Sequence, residues 1–197
     1  MSNIVRALGA VAIAAVVLYG LQHTTPGYGE ITSPIVTAGK LGKRIAASAF
    51  TIGIVKVHLA RTVTTRSVGR TQTFTSSGVW VLVEGAAEAR SESLTLMSAQ
   101  WLGPDGVRYA LSQRFSTVPG FLPSQRLEPG LPRPVLMAFE IPENEVSSGT
   151  LLVARTAWTP LEEEVRIEMT GVRPDDIRPG LVLARSEGAV PWTLRTE

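Results

Sequence analysis

The stretch that most constrains the fold covers residues 78–109, where two β-branched and aromatic runs flank a tight turn. The first run is Val-Trp-Val-Leu-Val at residues 79–83, and the second ends before Gly-Pro-Asp-Gly at residues 103–106. Proline presets φ at the second turn position, aspartate bonds back to the backbone, and glycine accepts a positive φ. The pattern predicts a β-hairpin at the centre of an all-β domain.

Alternating apolar runs extend this pattern in both directions along the chain. In a first long strand at residues 47–59, the apolar parity shifts at Ile54 and Val55 beside Gly53, which indicates a β-bulge. Four more strands are predicted, at residues 107–111, 135–141, 151–158 and 165–169. The Thr- and Ser-rich residues 62–77, between the first long strand and the run at residues 79–83, are interpreted as a long loop. Short strands without a helical period predict an antiparallel β-sandwich, with a closed barrel as the alternative.

An apolar segment precedes this domain. Residues 7–21 carry no charge and follow Arg6; with Ile4 and Val5 the segment reaches about the 17 residues that a bilayer requires. No small-x-small motif ends the segment, so an uncleaved transmembrane helix is favoured, with a cleaved signal peptide second and a buried helix last. The predicted anchor residues are Arg6, Ala7, Leu8, Val11, Ile13, Val16, Val17, Leu18, Tyr19 and Leu21.

Charge predicts the orientation of this anchor. Residues 22–39 contain no Lys or Arg, whereas Arg6 and the amino terminus precede the apolar segment. The N-terminus is therefore expected in the cytoplasm, and the remaining chain in the periplasm or at the surface of a bacterial cell. The expected organisation is an anchor at residues 1–23, a Gly- and Pro-rich stalk at 24–44, a β-sandwich domain at 45–170 and a C-terminal tail or edge strand at 171–197.

A long connection at residues 113–133 is rich in Pro and Gly. Loops of this length are uncommon unless they are functional or disordered. Phe115, Phe121 and Leu122 either pin the connection to the edge of the sandwich, which is the favoured interpretation, or form an exposed apolar tip. In the second case these three residues are the candidate loop for binding a protein partner.

Few residues in the chain suit catalysis or metal binding. The absence of cysteine excludes disulfides, thiolate metal sites and a cysteine nucleophile, and the two histidines, His23 and His58, are far apart in sequence. There is no GxSxG elbow, no HExxH and no phosphate-binding glycine loop. A net charge of +2 without a basic cluster argues against nucleic acid. We expect no cofactor, no metal and no enzymatic activity, with a carboxylate-based hydrolase as the remote alternative.

The order of these features resembles a known group of proteins. The features are the anchor, the stalk, Gly-Lys-Arg at residues 42–44 before the first strand, the turn at residues 103–106, and Leu-Glu-Pro-Gly at residues 127–130 before Phe-Glu-Ile-Pro at residues 139–142. They are similar to anchored bacterial extracellular domains of unknown function with an immunoglobulin-like sandwich, akin to the immunoprotective extracellular domain group. The resemblance covers residues 39–170 and implies a fold and an envelope location, but no shared catalytic residues. The chain departs from the group in lacking a lipobox cysteine.

These observations predict a single-pass membrane protein with an extracytoplasmic, non-catalytic, immunoglobulin-like β-sandwich. Its expected partners are the lipid bilayer and another envelope protein, and it would serve as an accessory subunit of a membrane complex. The alternative is a domain that binds a glycan or small ligand, with Trp80, Trp101 or Trp158 as a stacking platform. For these tryptophans a place in the core is the favoured interpretation, because they lie within strands.

Overall fold

The computed structural model describes residues 2–24, 32–67, 70–157, 161–184 and 192–196. The chain divides into two units, Met1–Ser33 and Pro34–Glu197. In the first unit, helix α1 (Ser2–Thr24) contains a candidate membrane span, Asn3–Thr24, in which an 18-residue window has a mean hydropathy of 2.2. At ~1.5 Å per residue, these 22 residues match a bilayer core of about 30 Å.

The predicted anchor residues all lie on α1, and their side chains are exposed to solvent. Thr24 ends the helix, and its hydroxyl donates to the carbonyl oxygen of Gly20 at 3.0 Å. Because neither Asp nor Glu occurs on α1 and its apolar residues surround the whole helix, it has no polar face to present to water. The length and composition of this helix fit a membrane anchor or a signal sequence.

The second unit is a β-sandwich of thirteen strands among the described residues. In chain order the strands are β1 (Ile35–Lys40), β2 (Arg44–Ala46), β3 (Phe50–Ser67), β4 (Arg70–Ala89), β5 (Leu94–Thr95), β6 (Ser98–Leu102), β7 (Arg108–Ala110), β8 (Arg126–Leu127), β9 (Arg133–Ile141), β10 (Thr150–Ala154), β11 (Glu163–Glu168), β12 (Ile177–Ala184) and β13 (Thr193–Thr196). Their alternating apolar residues place one face of each larger sheet against the other sheet.

The strands form two large sheets and one small one. The five-stranded sheet has the order β1-β11-β10-β6-β7, and the six-stranded sheet has the order β13-β12-β3-β4-β9, with β2 also paired to β3. Strands β5 and β8 form a separate pair. Two neighbouring pairs, β1 with β11 and β3 with β12, run parallel, so the sandwich is mixed rather than wholly antiparallel as predicted.

Both turn features that the sequence predicted are confirmed. Strands β6 and β7 pair across the Gly-Pro-Asp-Gly turn, with Leu102 opposite Arg108. The register of β3 against β4 shifts between Ile54 and Lys56, which places a bulge at Val55. The prediction of a long loop at residues 62–77 is wrong, because β3 and β4 continue as a pair of hydrogen-bonded strands through most of this stretch. Threonine is β-branched and suits strands, so a Thr-rich stretch need not be a loop.

The main core lies between the two large sheets. Strand β4 contributes Val79, Val81 and Val83, which pack with Trp101 of β6 and Phe139 of β9. The indole nitrogen of Trp101 donates to the carbonyl oxygen of Glu145 at 2.9 Å, so its one polar group is satisfied inside the core.

A second apolar layer covers the outer face of the six-stranded sheet, which is the face turned away from the five-stranded sheet. Trp80 and Leu82 alternate with the three core valines and therefore point outward, where both are fully buried. Residues 113–125, here called the cover segment, pack Phe115 and Phe121 over them. The Phe115 ring stacks on Phe121 at 4.9 Å between centroids and meets Trp80 edge to face at 5.2 Å.

The cover segment corrects one prediction from the sequence. Phe115, Phe121 and Leu122 are 1%, 2% and 0% exposed, so they do not form an apolar tip that a partner could contact. Phe115 and Phe121 belong to the outer layer, whereas Leu122 reaches the core between the sheets. The favoured interpretation, that these side chains pin the connection to the sandwich, agrees with their burial.

Two predicted boundaries of the sandwich are also wrong. The stalk predicted at residues 24–44 contains all of β1, which pairs with β11, and β2 begins at its last residue. The segment predicted at residues 171–197 as a C-terminal tail or edge strand contains β13, which does lie at the sheet edge, and β12, which is an inner strand between β3 and β13. Both errors involve parallel pairings between residues more than a hundred positions apart, which local sequence patterns do not reveal.

The burial of β12 predicts that it contributes to stability. We expect Leu183→Ala to lower the free energy of unfolding by about 2–5 kcal/mol, because Leu183 is fully buried and its loss leaves a cavity. Leu131→Ala is the control, since Leu131 is 51% exposed and its truncation should change the free energy by no more than ~0.5 kcal/mol. Urea unfolding of the full-length chain in detergent measures both. Equal effects of the two substitutions would mean that β12 is not part of the folded sheet.

Candidate functional site

The most open apolar position on the outer face of the six-stranded sheet is the bulge at Val55. Its side chain is 71% exposed, although it lies in the middle of a strand whose neighbours Ile54 and Leu59 are buried. A bulge inserts one extra residue and turns its side chain away from the regular alternation. Val55 borders three separate concavities of the described surface, which makes it the centre of the candidate site.

The first concavity, here called the Trp192 cavity, has a volume of about 250 Å³. The indole nitrogen of Trp192 donates to the carbonyl oxygen of Pro119 at 2.6 Å, which fixes the ring at the cavity wall. Gly120 has a φ of +94°, and a Cβ there would lie 2.9 Å from the indole nitrogen, so this turn needs glycine. The cavity is lined by Val55, Glu84, Gly85, Ala86, Pro119, Gly120, Gln125, Pro134, Val135, Leu136 and Trp192.

The second concavity, the Arg44 cavity, has a volume of about 360 Å³ and shares Val55 and Ala86 with the first. Arg44 forms an ion pair with Glu88, whose side chain is 11% exposed. Gly53 and Ala86 contribute to its lining, so little side-chain volume lies above the sheet here. We call the continuous depression formed by the Trp192 cavity, Val55 and the Arg44 cavity the Val55 trough.

A polar edge flanks the trough. Nε2 of His58 lies 3.2 Å from Oε2 of Glu84, and the two side chains are 13% and 39% exposed. His58 also lines the third concavity, about 310 Å³ in volume, together with Lys56 and Arg178. Asp176 lines it as well, so this side of the trough combines two carboxylates, those of Glu84 and Asp176, with two cationic side chains and an imidazole.

A buried carboxyl group, Glu145, lies elsewhere, where the β6–β7 turn with its exposed Asp105 meets the 3-10 turn Glu143–Glu145. Glu145 is 3% exposed, and its Oε2 has no hydrogen-bond partner among the described residues. Burial, followed by the charge of Asp105, raises the pKa of Glu145 above its ordinary value. Gly103 leaves room for this carboxyl group, because a Cβ there would overlap it.

The phenol of Tyr109 is affected by the same two carboxyl groups. Burial raises the pKa of Tyr109, and the charges of Glu145 and Asp105 raise it further. Neither carboxyl group lines the Val55 trough. The two carboxyl groups are therefore not part of the candidate site.

The other candidate residues from the sequence do not come together. Trp80 and Trp101 are fully buried and offer no stacking surface, and Trp158 lies outside the described residues. His23 is on α1, whereas His58 is on β3. In the part of the chain that the structure describes, no three His, Cys, Asp or Glu side chains are grouped so that they could hold a metal ion.

Sequence reasoning missed the trough itself. The bulge at Val55 was predicted, but its exposure depends on which parts of the outer face the cover segment leaves open. The sequence does not predict that Trp192 lines the site, because Trp192 follows Pro191 in a stretch where apolar and polar residues do not alternate. The signal that pointed to the site was the apolar parity shift beside Gly53.

Comparisons with known proteins give similarity of fold only. No protein-family model and no curated protein matches the chain. Among solved structures, an uncharacterized β-sandwich protein from Clostridium difficile 630 is 14% identical, with a TM-score of 0.47 over 74% of this chain and 100% of that one. The yjhA protein from Bacillus subtilis is 14% identical, with a TM-score of 0.48 over 66% of this chain and 99% of that one. A conserved hypothetical protein from Bacillus anthracis is 13% identical, with a TM-score of 0.43 over 62% of this chain and 93% of that one.

The buried carboxyl group of Glu145 predicts a pH dependence of stability. Because the pKa of Glu145 is raised, the folded state holds its proton above pH 4.5, where an unfolded glutamate releases it. The contribution of Glu145 to the free energy of unfolding should therefore fall as the pH rises from about 4.5 through its raised pKa in the folded state. Glu145→Gln should remove this decline and make the protein more stable than the wild type at pH 7.

Urea unfolding between pH 4 and pH 8 measures this effect. Glu92→Gln is the matched control, because the side chain of Glu92 is 69% exposed and should leave the pH profile unchanged. An unaltered decline in Glu145→Gln and also in Asp105→Asn would show that these two carboxyl groups do not cause it.

Proposed function

We propose that this protein is a single-pass, membrane-anchored β-sandwich module that binds another protein of the bacterial cell envelope through the Val55 trough. In this proposal α1 is an uncleaved anchor, the N-terminus is cytoplasmic, and the sandwich lies in the periplasm or at the cell surface. The module is non-catalytic and serves as an accessory subunit of a membrane complex. The exposure of Val55 between two cavities is the observation that carries the binding role.

The anchor rests on the length and composition of α1. A cation near the N-terminal end of the helix, Arg6, and no Lys or Arg immediately after the helix favour a cytoplasmic N-terminus under the positive-inside rule. A cleaved signal sequence is the alternative, and it would leave the same sandwich free outside the membrane. The immunoglobulin-like arrangement of the strands stays a prediction from the resemblance.

The trough suits a protein partner better than it suits a reaction. An exposed apolar residue with a cavity on either side can meet a partner whose side chains fill both cavities, and binding energy concentrates at such central, well-packed contacts. The trough lies on a sheet whose opposite face is the main core, so it is rigid before a partner arrives. A pre-formed surface loses little conformational entropy on binding.

A small-ligand domain is the second candidate, and one observation favours it. The Trp192 cavity is a pre-formed, mostly apolar concavity with an aromatic wall and a nearby carboxylate, which are common features of ligand sites. Trp80 and Trp101, which the sequence offers as stacking platforms, are fully buried and do not serve this role.

A carboxylate-based hydrolase is the remote alternative. The carboxylates of residues 162–164 serve structural contacts: Glu163 accepts from the backbone of Ser48 at 2.7 Å, and Glu164 accepts from Arg166 at 2.7 Å. Burial alone would raise the pKa of Glu163, but hydrogen bonds from Ser48, Ala49 and Thr37 outweigh it and lower the pKa.

The proposal predicts a position-specific contact at the membrane. A photo-crosslinking amino acid at position 55 of the full-length chain should give a discrete adduct with an envelope protein in the membrane fraction. Deletion of residues 1–24 should release the sandwich into the soluble fraction. In the purified complex, Val55→Arg should weaken the affinity at least about tenfold, as expected for a central contact.

Position 97 provides the control for this experiment. Met97 is 58% exposed and apolar but does not border the trough, so a crosslinker there should give no adduct with that partner, and Met97→Arg should leave the affinity unchanged. Recovery of the full-length protein in the soluble fraction would contradict the anchor. Equal crosslinking at positions 55 and 97 would contradict the binding role of the trough.

A further inference from the structure

The Trp192 cavity has apolar walls and one charged group. Pro119, Pro134 and Trp192 form apolar walls, and the indole of Trp192 is held by its hydrogen bond to the carbonyl oxygen of Pro119. Among the eleven described residues that line the cavity, Glu84 is the only one with a formal charge. A ligand that complements this space therefore has an apolar body and a positive charge at the side that faces Glu84.

Glu84 retains capacity to accept hydrogen bonds. An ionised carboxylate has about four lone-pair positions, and His58 contacts Oε2 alone. Lys56 lies across from Glu84 in the strand register, but it lines the third concavity and not the Trp192 cavity. The carboxylate is 39% exposed, so a cation can approach it from the cavity.

Size limits the occupant further. Drug-sized ligands and cofactors occupy pockets of about 300–1,000 Å³, and the Trp192 cavity, at about 250 Å³, is smaller. The cavity continues into the exposed surface at Val55, so an occupant can remain attached to a chain that lies along the trough. Long basic side chains combine a methylene stem, which packs on apolar walls, with a charged end.

We propose that the Trp192 cavity receives a lysine or arginine side chain from a protein partner docked along the Val55 trough, with Glu84 as its charge partner. This inference rests on the proposed function and adds the chemistry of the docked segment. The stem packs between Pro119, Pro134 and Trp192, and the cationic end donates to Glu84. Binding is selective for basic residues because an uncharged stem leaves the carboxylate without this partner.

Short peptides test the inference on the full-length protein in detergent. The probes are the acetylated, amidated tripeptides Gly-Lys-Gly and Gly-norleucine-Gly, whose central side chains have similar stems and differ in charge. The indole N–H signal of Trp192, assigned with Trp192→Phe, reports occupancy by NMR. We expect the lysine peptide to bind about tenfold more tightly than the norleucine peptide, the effect of one charge-assisted hydrogen bond.

Two variants separate charge from shape. Glu84→Gln should reduce the lysine-to-norleucine affinity ratio to about 1, whereas Glu92→Gln, at an exposed position away from the trough, should leave it at about 10. Ala86→Leu narrows the cavity but leaves the Glu84 side chain in place, and it should weaken the binding of both peptides. A ratio near 1 in the wild type, or an unchanged ratio in Glu84→Gln, would overturn the inference. Binding of n-butylamine as tight as that of the lysine peptide would assign the cavity to a free amine and also overturn it.

Failure of this inference can be distinguished from failure of the proposed function. If crosslinking at position 55 identifies a partner but the peptides show no preference for lysine, the trough still binds a protein and only the role of Glu84 is wrong. If the peptides bind as expected but position 55 gives no more adduct than position 97, the basic-side-chain site stands and the role of the trough in partner binding is wrong.

Discussion

The central physical constraint on this fold is that the six-stranded sheet is apolar on both faces. Val79, Val81 and Val83 point to one side of β4, and Trp80 and Leu82 point to the other, and all five are fully buried. One face is covered by the five-stranded sheet. The other needs a separate cover, which the cover segment and the C-terminal residues supply with Phe115, Phe121 and Trp192. Without this second layer, a large apolar surface would face water.

The candidate site exists where this second cover ends. Toward the edge formed by β2 and the start of β3, the outer face carries small residues, Gly53 and Ala86, so a depression remains instead of an apolar surface that must be buried. Gly85 allows β4 to lie close to β3, since a Cβ there would be 2.6 Å from the carbonyl oxygen of Gly53. The bulge then places Val55 in this opening. The trough thus follows from the same packing that stabilises the sheet.

The sequence predicts features that depend on neighbouring residues. The parity shift at Val55 and the Gly-Pro-Asp-Gly turn are local, and both were found as predicted. It does not predict the pairing of β12 with β3 or of β1 with β11, because each joins distant segments in parallel. Nor does alternation show whether Phe115 is covered or exposed, since a covering aromatic residue and a binding aromatic residue have the same sequence pattern. The pairing of Asp105 with Glu145 likewise needs two turns forty residues apart to meet.

The most direct test of this account measures where the outer face of the six-stranded sheet is open. The chain has no cysteine, so Val55→Cys, Phe121→Cys and Leu183→Cys each introduce a single thiol into the full-length protein. The rate of reaction with a thiol reagent under native conditions reports exposure. We predict reaction at position 55 close to the rate in unfolded chain, and reaction at positions 121 and 183 slower by about 10³-fold or more, because those thiols react only when the domain opens. Similar rates at all three positions would show that the outer face is not covered and would contradict the account.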